Sequence, residues 1–199
     1  MAAVSGQTHA RKRKILIAIT GASGMLFVPP FIDLLARAED DIIIHGICSE
    51  SGENVLKHEL ALQPAQLQAV SQWFAINDFS AAPASGSSGY DAMVVLPCTM
   101  GTLGAIAAGL SQNLIHRAAD VVLKERKNLI LAVRETPFNR THLQNMLTAH
   151  DAGALICPPM PGFYLKPKDL EEAALTYCWR LADHLGITVA KRKRWAGTC

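Results

Sequence analysis

One domain built on a doubly wound, Rossmann-like parallel α/β sheet is the fold this sequence predicts, and three observations carry it. The chain has 199 residues, the size of a single ordinary domain of ~100–200 residues. Five short apolar runs, residues 15–20, 42–48, 93–97, 129–133 and 154–157, are near-continuous in Ile, Val and Leu rather than alternating, as expected of strands buried on both faces. Helical patterns follow most of these runs, and strand–helix alternation implies parallel strands joined by right-handed crossovers. The predicted body spans residues 14–187, with basic tails at 1–13 and 188–199.

The first strand, 15–20, runs into Thr20-Gly21-Ala22-Ser23-Gly24. Glycines allow a tight turn that exposes backbone N–H groups, and the helix start that follows favours an anion. The spacing fits neither the dinucleotide fingerprint nor a Walker loop, so a phosphate cradle and an ordinary tight turn both remain open. Pro29 and Pro30 stand within the helix predicted over 25–37 and must start it late or kink it. The second strand, 42–48, precedes a helix over 50–58. Residues 83–89, PASGSSG, form a small-residue loop before the third strand, 93–97.

The third strand ends in Pro97-Cys98-Thr99-Met100-Gly101-Thr102. Its two hydroxyls suit a ribityl chain or phosphate, and Thr99 equally suits a helix cap. Helices are predicted over 101–110 and 113–125. On the second of these, Arg117 and Lys124 lie seven residues apart and share a face, with Asp120 between them. They are either anion ligands or a solvated salt-bridge stripe. After the strand at 129–133, Arg134-Glu135-Thr136-Pro137 marks a carboxyl end, where chemistry belongs in such sheets; a surface ion pair is the plain alternative.

A helix over 141–151 leads to the last strand, 154–157, and then to Pro158-Pro159-Met160-Pro161-Gly162-Phe163-Tyr164. Three prolines in four residues stiffen that loop and fix Tyr164, which either anchors a ligand oxygen or packs. The final helix, 170–185, has Asp169 as its N-cap, with Glu172 three residues on. Arg180 lies beside its apolar face, where partial burial would make it seek an anion.

Composition narrows the chemistry. Half of the residues are hydrophobic and 18% are charged, too little charge for disorder. No stretch reaches the ~18 apolar residues of a spanning helix, and 1–14 lacks a signal-peptide core; the expected location is the cytoplasm. Arg11 to Lys14 and Lys191 to Arg194 are all basic, leaving 11 basic against 17 acidic residues elsewhere. Without basic residues interleaved with aromatics on the body, a nucleic-acid function is rejected. The five cysteines form no C-x-x-C pair and read as packed thiols of a reducing compartment. The seven histidines show no ligand spacing, so no metal is expected. There is no carboxylate pair and no Ser/His/Asp set, and the cationic strand ends suit a phosphorylated organic ligand handled without metal.

Taken together, ITGASG, PASGSS, LPCTMGTL, NLIHRAADVVLKERKNLILAVRETPF, HLQNML, PPMPGFY and the final LGI resemble the UbiX-type flavin prenyltransferases, within the homo-oligomeric flavin-containing decarboxylase-like proteins. The likeness spans about residues 14–187, and the run 113–138 is its most specific part. It implies FMN bound by Gly21, Ala22, Ser23, Ser49, Thr99, Met100, Gly101, Thr102 and Arg134. It implies dimethylallyl phosphate held through Lys124, Arg134, Tyr164 and Arg180, with Arg117 contributed at a subunit interface of a homododecamer. The implied reaction joins the dimethylallyl group to N5 and C6 of reduced FMN, for use by a UbiD-type decarboxylase. Glu135 would be the acid/base, Ser23 would hydrogen-bond near N5, and Phe79 would stand where relatives place Trp. Residues 25–30 depart from the family pattern at the flavin-facing helix start. A non-catalytic FMN binder is the alternative that this departure raises. Decarboxylation is disfavoured, since the sibling cysteine decarboxylases' P-x-M-N-x-x-M-W segment is missing.

Overall fold

The computed structural model describes residues 11–38, 41–190 and 192–194. Among them are six parallel strands: β1 (Arg13–Ile19), β2 (Ile42–Cys48), β3 (Gln72–Phe74), β4 (Ala92–Cys98), β5 (Asn128–Val133) and β6 (Ala154–Ile156). Their spatial order is β3-β2-β1-β4-β5-β6, which reverses direction between β1 and β4, the doubly wound arrangement expected. The helices are α1 (Val28–Ala36), α2 (Glu50–Leu60), α3 (Met100–Ala107), α4 (Leu114–Lys124), α5 (Arg140–Asp151) and α6 (Leu170–His184).

Why the apolar runs are continuous is visible in β1. Successive side chains point to opposite faces of a strand. Ile15, Ile17 and Ile19 join a core with α1, α2 and α6, while Leu16 and Ala18 join a second core with α3, α4 and α5. Both faces are covered, so both sets must be apolar.

The two prolines of α1 fall in its first turn, where backbone N–H groups lack intrahelical partners anyway. The chain makes a short 3-10 turn at Met25–Phe27 and begins the α-helix at Val28. The late start, rather than the kink, is what occurs. Met25 is fully buried and Phe27 meets Tyr177 edge-on, with ring centroids 5.2 Å apart. Met25, Phe27 and Val28 of the departing segment at 25–30 are therefore packed into the core.

One strand is absent from the sequence reading. β3 has three residues and no Ile, Val or Leu. It forms because Trp73 lies opposite Gly46 in register, its ring where a Gly46 Cβ would stand at 2.4 Å; a side chain packed over a strand glycine restores the missing contact.

The basic ends also differ from solvated tails. Arg11 pairs with Asp91, Lys12 with Asp41, and Arg13 lies within β1 and donates to the carbonyls of Leu185 and Gly186. Arg192 and Arg194 pair with Asp183, and Lys193 with Glu172. The body is acidic, so adjacent cations dock on it. Residues 1–10, Lys191 and 195–199 lie outside the described residues.

Candidate functional site at the sheet reversal

A doubly wound sheet leaves a crevice where its strand order reverses, beyond the carboxyl ends of the strands. Here that place lies between β1 and β4. The Thr20 hydroxyl ties the two ends together: it donates to the Pro97 carbonyl at 2.8 Å and accepts from the Thr99 N–H at 2.9 Å. Two helix N-termini open onto the same edge. Ser49 caps α2, its Oγ accepting from Gly52 N at 3.0 Å, and Thr99 caps α3, accepting from Thr102 N at 3.2 Å. The cap role considered for Thr99 is real, and it sets the first turn of α3 facing the crevice with positive partial charge.

The glycines are there for space. A Cβ on Gly21 would lie 2.5 Å from the Ser51 side chain, so only glycine lets the loop pass α2. A Cβ on Gly101 would meet nothing within 4 Å, so the first turn of α3 presents open backbone. Capped N–H groups, hydroxyls at Ser23, Ser49, Thr99 and Thr102, and an unobstructed helix start fit a phosphorylated, hydroxyl-bearing group such as FMN.

Glu59, in the last turn of α2, was not anticipated. Its carboxylate accepts from Gly24 N at 3.0 Å and Met25 N at 2.8 Å, clamping the glycine loop from the far side. Burial works to raise its pKa, but hydrogen bonds from the Ser23 side chain, Met25 N and Gly24 N, together with the Arg134 guanidinium, outweigh it. The carboxyl is held below the ordinary glutamate value and stays ionised. Ser23, Glu59 and Arg134 thus form one electrostatic cluster. Arg134 is placed by its own N–H, which donates to the Cys98 carbonyl at 3.0 Å, and Glu135 follows at the exposed lip. Cys98 is fully buried and its thiol is pushed up to about 12, so it packs rather than attacks.

Two of the remaining expected ligands, Lys124 and Arg117, lie on α4, away from the crevice. Lys124 ends α4, just before β5 begins. It pairs with Glu125, and its Nζ lies 2.9 Å from where a Gly86 Cβ would stand. Neighbouring Ser88 accepts from Lys14 at the start of β1, which fixes this corner at the amino edge of the sheet. Six residues of β5, roughly 20 Å at strand rise, separate it from Arg134. Arg117 lies partway along the same α4 face, bonded to the Ala84 carbonyl at 3.1 Å and Asp120 at 2.8 Å. The stripe with Asp120 is therefore formed.

Tyr164 and Arg180 make a third group, lining a cavity of about 390 Å³ with Thr176, Trp179, Asp183, Lys193 and Arg194. Arg180 is not partly buried as expected: its side chain is 57% exposed and meets Asp183 at 3.4 Å, because α6 turns its neighbours inward and this position out. Phe79 is about half exposed. Among the described residues no His/Cys/Asp/Glu group could hold a metal ion, and no helix is long and apolar enough to cross a membrane.

Comparison with known proteins gives one consistent picture. Residues 3–183 match the family profile described as Flavoprotein. A flavin prenyltransferase UbiX of Methanocaldococcus jannaschii is 42% identical over 184 residues, covering 92% of this chain and 98% of the relative. The enzyme of the same name from Pseudomonas aeruginosa is 40% identical over 197 residues, covering 92% and 93%. Among solved structures, AnUbiX in complex with FMN and dimethylallyl pyrophosphate matches with a TM-score of 0.91 at 38% identity, over 94% of this chain and 100% of that one. A dodecameric FMN-dependent UbiX-like decarboxylase from Escherichia coli O157:H7 matches at 0.88 and 32%, over 92% and 100%.

Proposed function

We propose a reaction and a division of labour for this chain on the premise that it belongs to the UbiX family of flavin prenyltransferases. It is an enzyme that transfers a dimethylallyl group from a prenyl phosphate to reduced FMN, its acceptor substrate. The balance is a substitution followed by a ring closure. The C1–O bond to phosphate breaks and a C1–N5 bond forms, the N5 proton leaving with the phosphate. The alkene then takes up a proton at C2 while its C3 bonds to C6, which releases one. No net redox occurs.

The observation that carries this reading is the cluster of Ser23, Glu59 and Arg134 at the sheet reversal, with Glu135 beside it. Gly21, Ala22, Ser49 and residues 99–102 hold the FMN phosphate and ribityl hydroxyls through backbone N–H groups and the two capped helix starts. Arg134 counters developing negative charge on the departing phosphate, an electrostatic contribution realised most in the transition state. Glu135, at the open lip, exchanges protons with that phosphate and then at the flavin. Glu59 orients Ser23 toward N5 and keeps Arg134 in place through its charge. Phe79 offers an aromatic face to the allyl cation.

Tyr164, Arg180, Lys124 and Arg117 bind the prenyl phosphate, and the distance of Lys124 from Arg134 in one protomer implies that neighbours in a homo-oligomer, a dodecamer by family likeness, complete each site. Exposed Leu143 and Leu147 on α5, with Met160, Phe163 and Leu170, supply apolar surface for such contacts. The product would serve a UbiD-type decarboxylase. The assigned compartment is the cytoplasm, in keeping with the free thiols of Cys48, Cys98, Cys157 and Cys178.

The test is the mass of the flavin recovered after anaerobic incubation with reduced FMN and dimethylallyl phosphate. A gain of one five-carbon unit is expected. FMN bound but unmodified would make the chain a non-catalytic flavin binder, and carbon dioxide release from a small acid without prenylation would make it a decarboxylase.

A further inference from the structure

Three arginines converge on Asp183, the one carboxylate among the described residues that line the cavity with Tyr164 and Arg180. Arg180, one turn earlier on α6, stands 3.4 Å from Oδ2. Arg194 stands 3.5 Å from Oδ1, and Arg192 meets that same Oδ1 more closely than either. Their surroundings separate them. The Arg192 side chain is 16% exposed and that of Asp183 24%, and the Arg192 Nη1 is buried at the contact. Arg180 and Arg194 stand mostly in solvent, where an ion pair contributes little. A shielded pair is screened less and attracts more strongly, so Arg192 holds the carboxylate and Arg180 is held only loosely. Arg192 is not among the residues of the cavity wall, so it acts on a ligand there through Asp183.

We propose that Arg192 is a positioning residue: by occupying Asp183 it leaves the Arg180 guanidinium free to meet the donor phosphate. The proposal rests on the reading above that Arg180 binds that phosphate, and it adds a residue outside the cavity that sets how readily Arg180 does so. Without Arg192, the carboxylate charge falls on Arg180, three residues away on the same helix, where i,i+3 pairs form readily. Arg180 must then leave that pair before it can bind, and the freed carboxylate repels an anionic donor. Both effects weaken donor binding and neither touches the bond-making atoms, so they appear in KM rather than in kcat.

The experiment measures kcat and KM for dimethylallyl phosphate with saturating reduced FMN, on the full chain and its variants. R192Q is expected to raise KM by about fivefold, the upper end for one partly exposed ion pair, with kcat within about twofold. R194Q removes the same charge from a contact in solvent and should move KM by less than about twofold, as should R192K, which keeps the pair. Combining R192Q with D183N should return KM to within about twofold of wild type, since no carboxylate is left to capture Arg180. Bound FMN and the unfolding temperature establish that the variants are folded. Should R192Q fail that check, D183N alone carries the test: its KM is expected at or below the wild-type value, and a rise overturns the proposal. R192Q with a wild-type KM, an equal rise in R194Q, or no recovery in the double variant also overturns it. R180Q separates the proposal from the reading beneath it. A raised KM there upholds Arg180 as a phosphate ligand whatever Arg192 does, and an unchanged KM overturns that assignment together with the proposal.

Discussion

Replacing Glu59 by Gln tests the site where sequence and structure parted most. The carboxylate accepts from Gly24 N, Met25 N and the Ser23 side chain, and the amide keeps one acceptor oxygen while turning an NH₂ toward the same donors. About one charge-assisted bond is lost. Such bonds are worth ~1.5–3 kcal/mol when shielded, and solvent around this largely exposed carboxylate reduces that to about 1–2 kcal/mol. For a domain of this size the unfolding temperature should fall by ~2–8 °C. The sign with pH is fixed by the lowered pKa. A carboxyl depressed in the folded state stabilises it at pH above the unfolded value of 4.5 and loses that contribution as pH falls through the lower folded value. Wild type and E59Q should therefore differ by a constant amount near neutrality and converge on acidification below about pH 4.5. Prenylation, followed by flavin mass, should slow by about 100-fold, the low end of what a positioned proton-handling or charge-balancing group supplies. A lowered unfolding temperature with wild-type turnover would reduce Glu59 to loop support. Unchanged stability and unchanged turnover would refute the cluster altogether.

Three further perturbations probe separate parts of the structure. Glu135→Gln should leave FMN bound while slowing product formation by at least ~100-fold; full turnover in the same flavin-mass assay would remove Glu135 from proton transfer. Gly21→Ala drives a methyl to 2.5 Å from Ser51, so it should cost ~1–3 kcal/mol and strip flavin during purification; adding S51G should restore both, and no restoration would refute the steric account. Tyr177→Phe removes the 2.5 Å hydrogen bond to the Cys157 carbonyl beneath the Phe27 contact, for an expected loss of ~0.5–1.5 kcal/mol read from the urea midpoint. An unchanged midpoint would mean that bond contributes nothing net.

The parts that were legible in the sequence depended on neighbours along the chain. The isoleucine runs of β1 and β2, the caps at Thr99 and Asp169, and the late start forced by Pro29 and Pro30 are all local effects, and each appears where the sequence puts it. β3 escaped because a three-residue strand defined by a tryptophan over a distant glycine has no period. Glu59 escaped because its partners lie 34 and 35 residues away. Its one local sign is an anion in the last turn of a helix, against the dipole, beside Lys57 and His58. For Lys124, closeness in sequence does not mean closeness in the fold. It stands ten residues before Arg134, yet those residues are a helix end and a whole strand, which carry the chain from one edge of the sheet to the other.

That last separation has a genetic consequence. On the proposed sharing of sites between neighbouring copies, a chain bearing Lys124→Ala and a chain bearing Glu135→Gln should each be inactive alone. Coexpressed, they should form mixed assemblies in which some sites draw the lysine from one allele and the glutamate from the other, and those sites should be active. Two alleles damaged at Glu59 and Glu135 have no such recourse, because both lesions fall in the same crevice of one chain.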